Sequence, residues 1–103
     1  MPTAMRIYIA GPMSGLPGLN FDAFHAKAAE LRAAGHEVVN PAEINLDHTA
    51  EWNACMRADI AQLVTCEAIY MLPGWFNSRG AKLERHIAEQ LSMQILGAAW
   101  SEA

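Results

Sequence analysis

Apolar and polar positions fall in repeating blocks along this chain: a short unbroken apolar run, then a turn, then a stretch with helical period. Met5 to Ala10 is the first run and reads as a buried strand, stopped by the turn-forming segment Gly11-Pro12-Met13-Ser14-Gly15-Leu16-Pro17-Gly18. Phe21, Phe24, Ala28 and Leu31 then recur at helical spacing, with Asn20 as the expected N-cap, Leu19 and Phe24 as a hydrophobic staple and Gly35 as the stop. His36 to Val39 is a second strand closed by Asn40-Pro41, and residues 42 to 49 show no clear period. Trp52, Met56, Ile60 and Leu63 mark a second helix from about Ala50 to Val64. Glu67 to Leu72 is a third strand, residues 79 to 92 a third helix, and Met93 to Ala98 a fourth strand.

Strands alternating with helices in a chain of 103 residues predict one α/β domain, spanning residues 1–103, with a mainly parallel sheet. Ligands of such sheets bind beyond the carboxyl ends of the strands, where the strand order reverses. The loop from Gly11 to Asn20 and the turn after the third strand both open onto that edge, so the segment around Ser78 and Glu84 is expected to meet the first loop.

Charge narrows the partners. Seven basic against eleven acidic side chains leave a net charge of −4 with no basic block, which excludes a protein that tracks polymeric nucleic acid. No apolar run approaches the about 20 residues that span a bilayer, and the N-terminus lacks the order of a secretory signal, so a cytoplasmic location is expected without membrane contact. Cys55 and Cys66 are too far apart for a CxxC pair, and His25, His36, His48 and His86 are scattered singly, so no metal site is expected. Glycines at 11, 15 and 18 do not make GxGxxG, and no GK[ST] follows, so no nicotinamide or ATP cofactor is expected. Nor is there a GxSxG elbow around Ser14 or Ser78.

The candidate chemistry lies in the last third of the chain. Glu84 heads the series Glu84, Ile87, Ala88, Leu91, which puts an acid on the expected buried stripe of a helix. Upstream, Ser78 and Gly80 follow the run Ala68-Ile69-Tyr70-Met71-Leu72, a strand-turn-helix order that offers backbone N–H groups to an anion. Six residues of helix rise about 9 Å, and the backward lean of helical side chains shortens that to roughly the width of a pentose. A sugar phosphate fits, with its phosphate at Ser78 and its anomeric carbon at Glu84; the alternative is a first-turn acid that stands in water. At the helix start the dipole is expected to favour the ionised form of Glu84. Asp59 falls about 45° from the centre of its helix's apolar stripe, at the border of the core, where its charge needs a partner or a ligand.

Three segments in register, Ile7-Tyr8-Ile9-Ala10-Gly11, then Asp59-Ile60, then Ser78-x-Gly80-x-x-x-Glu84, resemble the nucleoside 2-deoxyribosyltransferase family. The serine at 78 is similar to the branch of deoxynucleoside 5′-monophosphate N-glycosidases, since transferases of unphosphorylated nucleosides usually carry an acid there. The resemblance implies a flavodoxin-like three-layer sandwich with four or five strands and cleavage or transfer at the bond between base and sugar, without a cofactor. Carried over, Glu84 would attack the anomeric carbon, Tyr8 would hydrogen-bond and orient it, and Asp59 would bind the sugar or assist at the base; Gly11, Ser78 and Gly80 of the matching segments are expected to bind the substrate, as is Arg79, which stands at an unspecified position between the last two. Where the family continues as ELGxA this chain reads Glu84-Arg85-His86-Ile87-Ala88, so His86 is expected to narrow or reshape the pocket.

From the residues themselves, Tyr8 is either a partner of Glu84 or packing for the sheet, and Arg79 either pairs with a phosphate or stands in solvent. Trp75 and Phe76 stack a base, pack, or meet another subunit; with Ala98-Ala99-Trp100 they suggest a homo-oligomer. The expected partner is a small nucleoside or nucleotide, and a non-catalytic nucleotide-binding module on the same fold is the alternative.

Overall fold

The computed structural model describes residues 4–44 and 51–99. Four strands, β1 (Arg6–Ala10), β2 (Glu37–Val39), β3 (Ala68–Met71) and β4 (Gln94–Gly97), form one all-parallel sheet in the order β2-β1-β3-β4. Between them run α1 (Phe21–Ala33), a short α2 (Pro41–Ile44), α3 (Trp52–Leu63) and α4 (Arg79–Gln90). The strand order reverses between β1 and β3, so the chain ends leaving those two strands diverge and leave a crevice there.

Alternation along β1 divides the core. Tyr8 and Ala10 face one side with Ile69 and Met71 of β3, covered by Leu63 of α3 and by Ala81 and Ala88 of α4. Ile9 faces the other side with Val38 and is covered by Phe24 and Ala28 of α1. Helices therefore flank the sheet on both faces, giving the flavodoxin-like three-layer α/β fold. With α1 on one face and α3 and α4 on the other, the leftward crossover to β2 and the rightward crossovers to β3 and β4 share one hand.

Several local expectations need correction. Asn20 does not cap α1: its backbone is left-handed (φ 60°) and its side-chain amide donates to the Pro12 carbonyl at 3.0 Å, bracing the first loop instead. Leu91 does not join the core stripe; the helix has ended by then and the side chain is 53% exposed. The unperiodic stretch begins with α2, started by Asn40, whose Oδ1 accepts the Ala42 N–H, and by Pro41 at the first helical position. The expected start of the second helix at Ala50 lies outside the described residues. Trp75 is fully buried, and its indole N–H donates to the Ala98 carbonyl at 3.0 Å, tying the turn after β3 to the residue following β4. No helix among the described residues is long and apolar enough to cross a membrane.

Candidate active site

The crevice at the β1/β3 edge is a cavity of about 630 Å³. The loop after β1 and the N-terminal halves of α3 and α4 border it. Gly11 begins the first wall, where a Cβ would stand 2.8 Å from Leu72 Cβ; only glycine lets the strand ends pass so closely.

The two helices meet in three steps. At the rim the guanidinium of Arg79 lies over the Trp52 ring, 3.7 Å from its centroid. Below it Gly80 faces Met56, whose sulfur is 3.1 Å from where a Cβ would be. Asp59 and Glu84 lie lowest, 7% and 5% exposed, and both line the cavity. Five residues of α4 separate Arg79 from Glu84, about 7.5 Å of rise. The cleft thus has a basic rim and an acidic floor; Arg79 is the one base among the described residues that line it.

Ser78 caps α4, its Oγ accepting the Ala81 N–H at 3.2 Å, and so fixes the register that sends Glu84 inward. Under the floor, Tyr8 projects from β1 and its hydroxyl donates to the Glu84 carboxyl group. Burial raises the pKa of Glu84 from 4.5 to about 8; the Tyr8 hydrogen bond pulls it down and the Asp59 charge pushes it up. The Tyr8 phenol is raised well above its usual value, first by burial and then by the charges of Glu84 and Asp59. The expectation that the helix dipole keeps Glu84 ionised is therefore overturned. The dipole fades within the first turn, whereas Glu84 sits in the second and is desolvated.

Of the residues singled out in the sequence, Tyr8, Asp59 and Glu84 come together at the floor, while Gly11, Ser78, Arg79 and Gly80 line the same cavity. Trp75 is not available to stack a base or to meet another subunit, because it is enclosed in the core, with Phe76 packed edge-on against it at 6.2 Å. Trp100 lies outside the described residues. His86 is exposed and off the cavity wall, so it leaves the pocket's shape unaltered. Trp52 and Met56 were legible only as core-stripe residues; that stripe also carries Asp59, and its outer half turns toward the cleft. Phe21, Phe24 and Pro41 add apolar walls. Among the described residues no group of three or more His, Cys, Asp or Glu side chains is placed to hold a metal ion.

A family model described as a domain of unknown function, DUF4406, matches residues 5–97. A comparison with curated proteins gives no match.

Proposed function

The chain belongs to the DUF4406 family, and we propose from the geometry of its cleft that it cleaves the N-glycosidic bond of a deoxynucleoside 5′-monophosphate through Glu84. The observation that carries this reading is a desolvated glutamate in a cavity at the strand-order reversal, held from below by a tyrosine hydroxyl. The three-segment likeness to nucleoside 2-deoxyribosyltransferases supports it independently of the geometry. A cytoplasmic setting goes with such a substrate.

The chemistry follows from charge. The ionised Glu84 carboxylate attacks the anomeric carbon as the carbon–nitrogen bond breaks; the bonding pair leaves with the base, which takes a proton from Asp59 or water. The transition state places positive charge on the sugar ring, and a carboxylate beneath it stabilises that charge strongly in a desolvated floor. Tyr8 fixes the carboxyl rotamer and favours its ionised form. Water then attacks the same carbon and releases the sugar phosphate, or a second base takes its place; hydrolase and transferase share the first step.

Incubation of the purified protein with a panel of deoxynucleoside and ribonucleoside monophosphates, followed by chromatography, is expected to release free base, and Glu84→Gln to abolish the release. Silence of the folded protein across the panel overturns the reading. A second base added to the reaction separates exchange from hydrolysis.

One observation favours a second reading. Burial pushes the Glu84 pKa up to about 8, which favours its protonated form at neutral pH and suits a hydrogen-bond donor to a bound nucleotide. A binding module predicts tight association without turnover, little altered by Glu84→Gln.

A further inference from the structure

The rim of the cleft holds Arg79, its one base among the described residues, in an unusual way. An arginine is commonly anchored by a carboxylate, which occupies its N–H donors and cancels its charge. Arg79 is anchored by an aromatic face instead: its guanidinium lies on the Trp52 ring at 3.7 Å, and among the described residues no carboxylate pairs with it. Stacking uses the flat face of the guanidinium and leaves the in-plane edges to donate. Charge and donors therefore both remain for an incoming anion. Beside it, Ser78 Oγ spends a lone pair on the Ala81 N–H and keeps its hydroxyl proton to give. The acids lie one and a half helical turns deeper, so an anion is held at the rim and repelled from the floor.

Resting on the glycosidase reading, we infer that Arg79 is the residue that selects a 5′-monophosphate over the free nucleoside, and that Trp52 is the positioning residue that holds the guanidinium edge-on to the phosphate. Trp52 leads α3 and Arg79 leads α4, so the stack also fixes the width of the cleft mouth between the two helix ends. A fixed, planar donor set suits two phosphate oxygens at once, which the rotating ammonium of a lysine does not match.

The test reads binding with the chemistry removed. In the full chain carrying Glu84→Gln, calorimetry gives the Kd of a 2′-deoxynucleoside 5′-monophosphate and of the matching 2′-deoxynucleoside. Adding Arg79→Met is expected to raise the monophosphate Kd on the order of 10- to 100-fold and to leave the nucleoside Kd unchanged. Adding Trp52→Ala instead is expected to raise the monophosphate Kd on the order of 5-fold, with Trp52→Phe restoring most of it. Arg79→Met weakening both ligands alike, or neither, overturns the inference, as does failure of the monophosphate to bind. Trp52→Ala weakening both alike makes Trp52 a plain wall and overturns its positioning role. Wild-type protein that discriminates through Arg79 yet releases no base removes the glycosidase reading and leaves phosphate selection standing.

Discussion

The hydroxyl of Tyr8, on the first strand, donates to the carboxyl group of Glu84, 76 residues later on the last helix. This bond crosses from the sheet to the helix layer at the deepest point of the cleft. It sets both where the acid points and how readily it ionises, because the hydroxyl opposes the upward shift that burial imposes.

Removing that hydroxyl is expected to act through ionisation. On the proposed glycosidase reading, Tyr8→Phe is expected to lower kcat/KM for a deoxynucleoside monophosphate about 10- to 100-fold at pH 7, the worth of one hydrogen bond to a charged group. The rising limb of the pH profile moves to higher pH, since the hydrogen bond that pulls the Glu84 pKa down is then gone. Steady-state rates between pH 6 and 10 check both, and a limb that stays in place refutes the role assigned to Tyr8.

Glu84 also leaves a mark on stability. Its folded pKa, about 8, lies above its ordinary 4.5, so in that interval the folded state binds the proton that the unfolded state has released. Stability from this group is therefore present below pH 4.5 and lost as pH climbs to 8, on the order of 5 kcal/mol in all. Glu84→Gln has no such loss, so its melting temperature is expected to exceed that of the wild type by a margin that widens from pH 5 to pH 8. Thermal unfolding in matched buffers measures it; a constant margin contradicts the shift.

Asp59 pushes the Glu84 pKa upward by its charge. Asp59→Asn is expected to move the Glu84 titration to lower pH, visible in the side-chain carboxyl carbon signal of labelled protein. A titration that stays put, or rises, shows that the two acids do not sense each other.

Gly11 tests the wall of the cleft. A methyl group there meets Leu72 Cβ at 2.8 Å and Cδ1 at 2.9 Å, so Gly11→Ala is expected to cost about 1–3 kcal/mol in urea unfolding. An unchanged midpoint means the two strand ends part freely.

Much of this arrangement was legible in the residues because local rules and the fold agree. Alternating apolar runs and helical stripes located the four strands and three of the helices, and the acid on an apolar stripe marked Glu84. What escaped was set by tertiary context. Trp75 beside a strand end reads as stacking, packing or a subunit contact alike, and only the chain after β4 supplies the carbonyl that makes it packing. Trp52 reads as core because its stripe continues to Met56 and Leu63, yet the neighbouring helix end turns its ring into a platform for Arg79. Helix position alone misplaces the ionisation of Glu84 because it is local, whereas desolvation depends on everything that covers the side chain.

The bond from the Trp75 indole to the Ala98 carbonyl reaches further than packing. The turn that begins at Trp75 ends at Ser78, which caps α4, so the outer margin of the sheet and the mouth of the cleft are fastened at one point. Residues 75–78 and 95–98 should therefore open to deuterium as a single cooperative unit, and loosening at the outermost strand would be felt where the ligand enters.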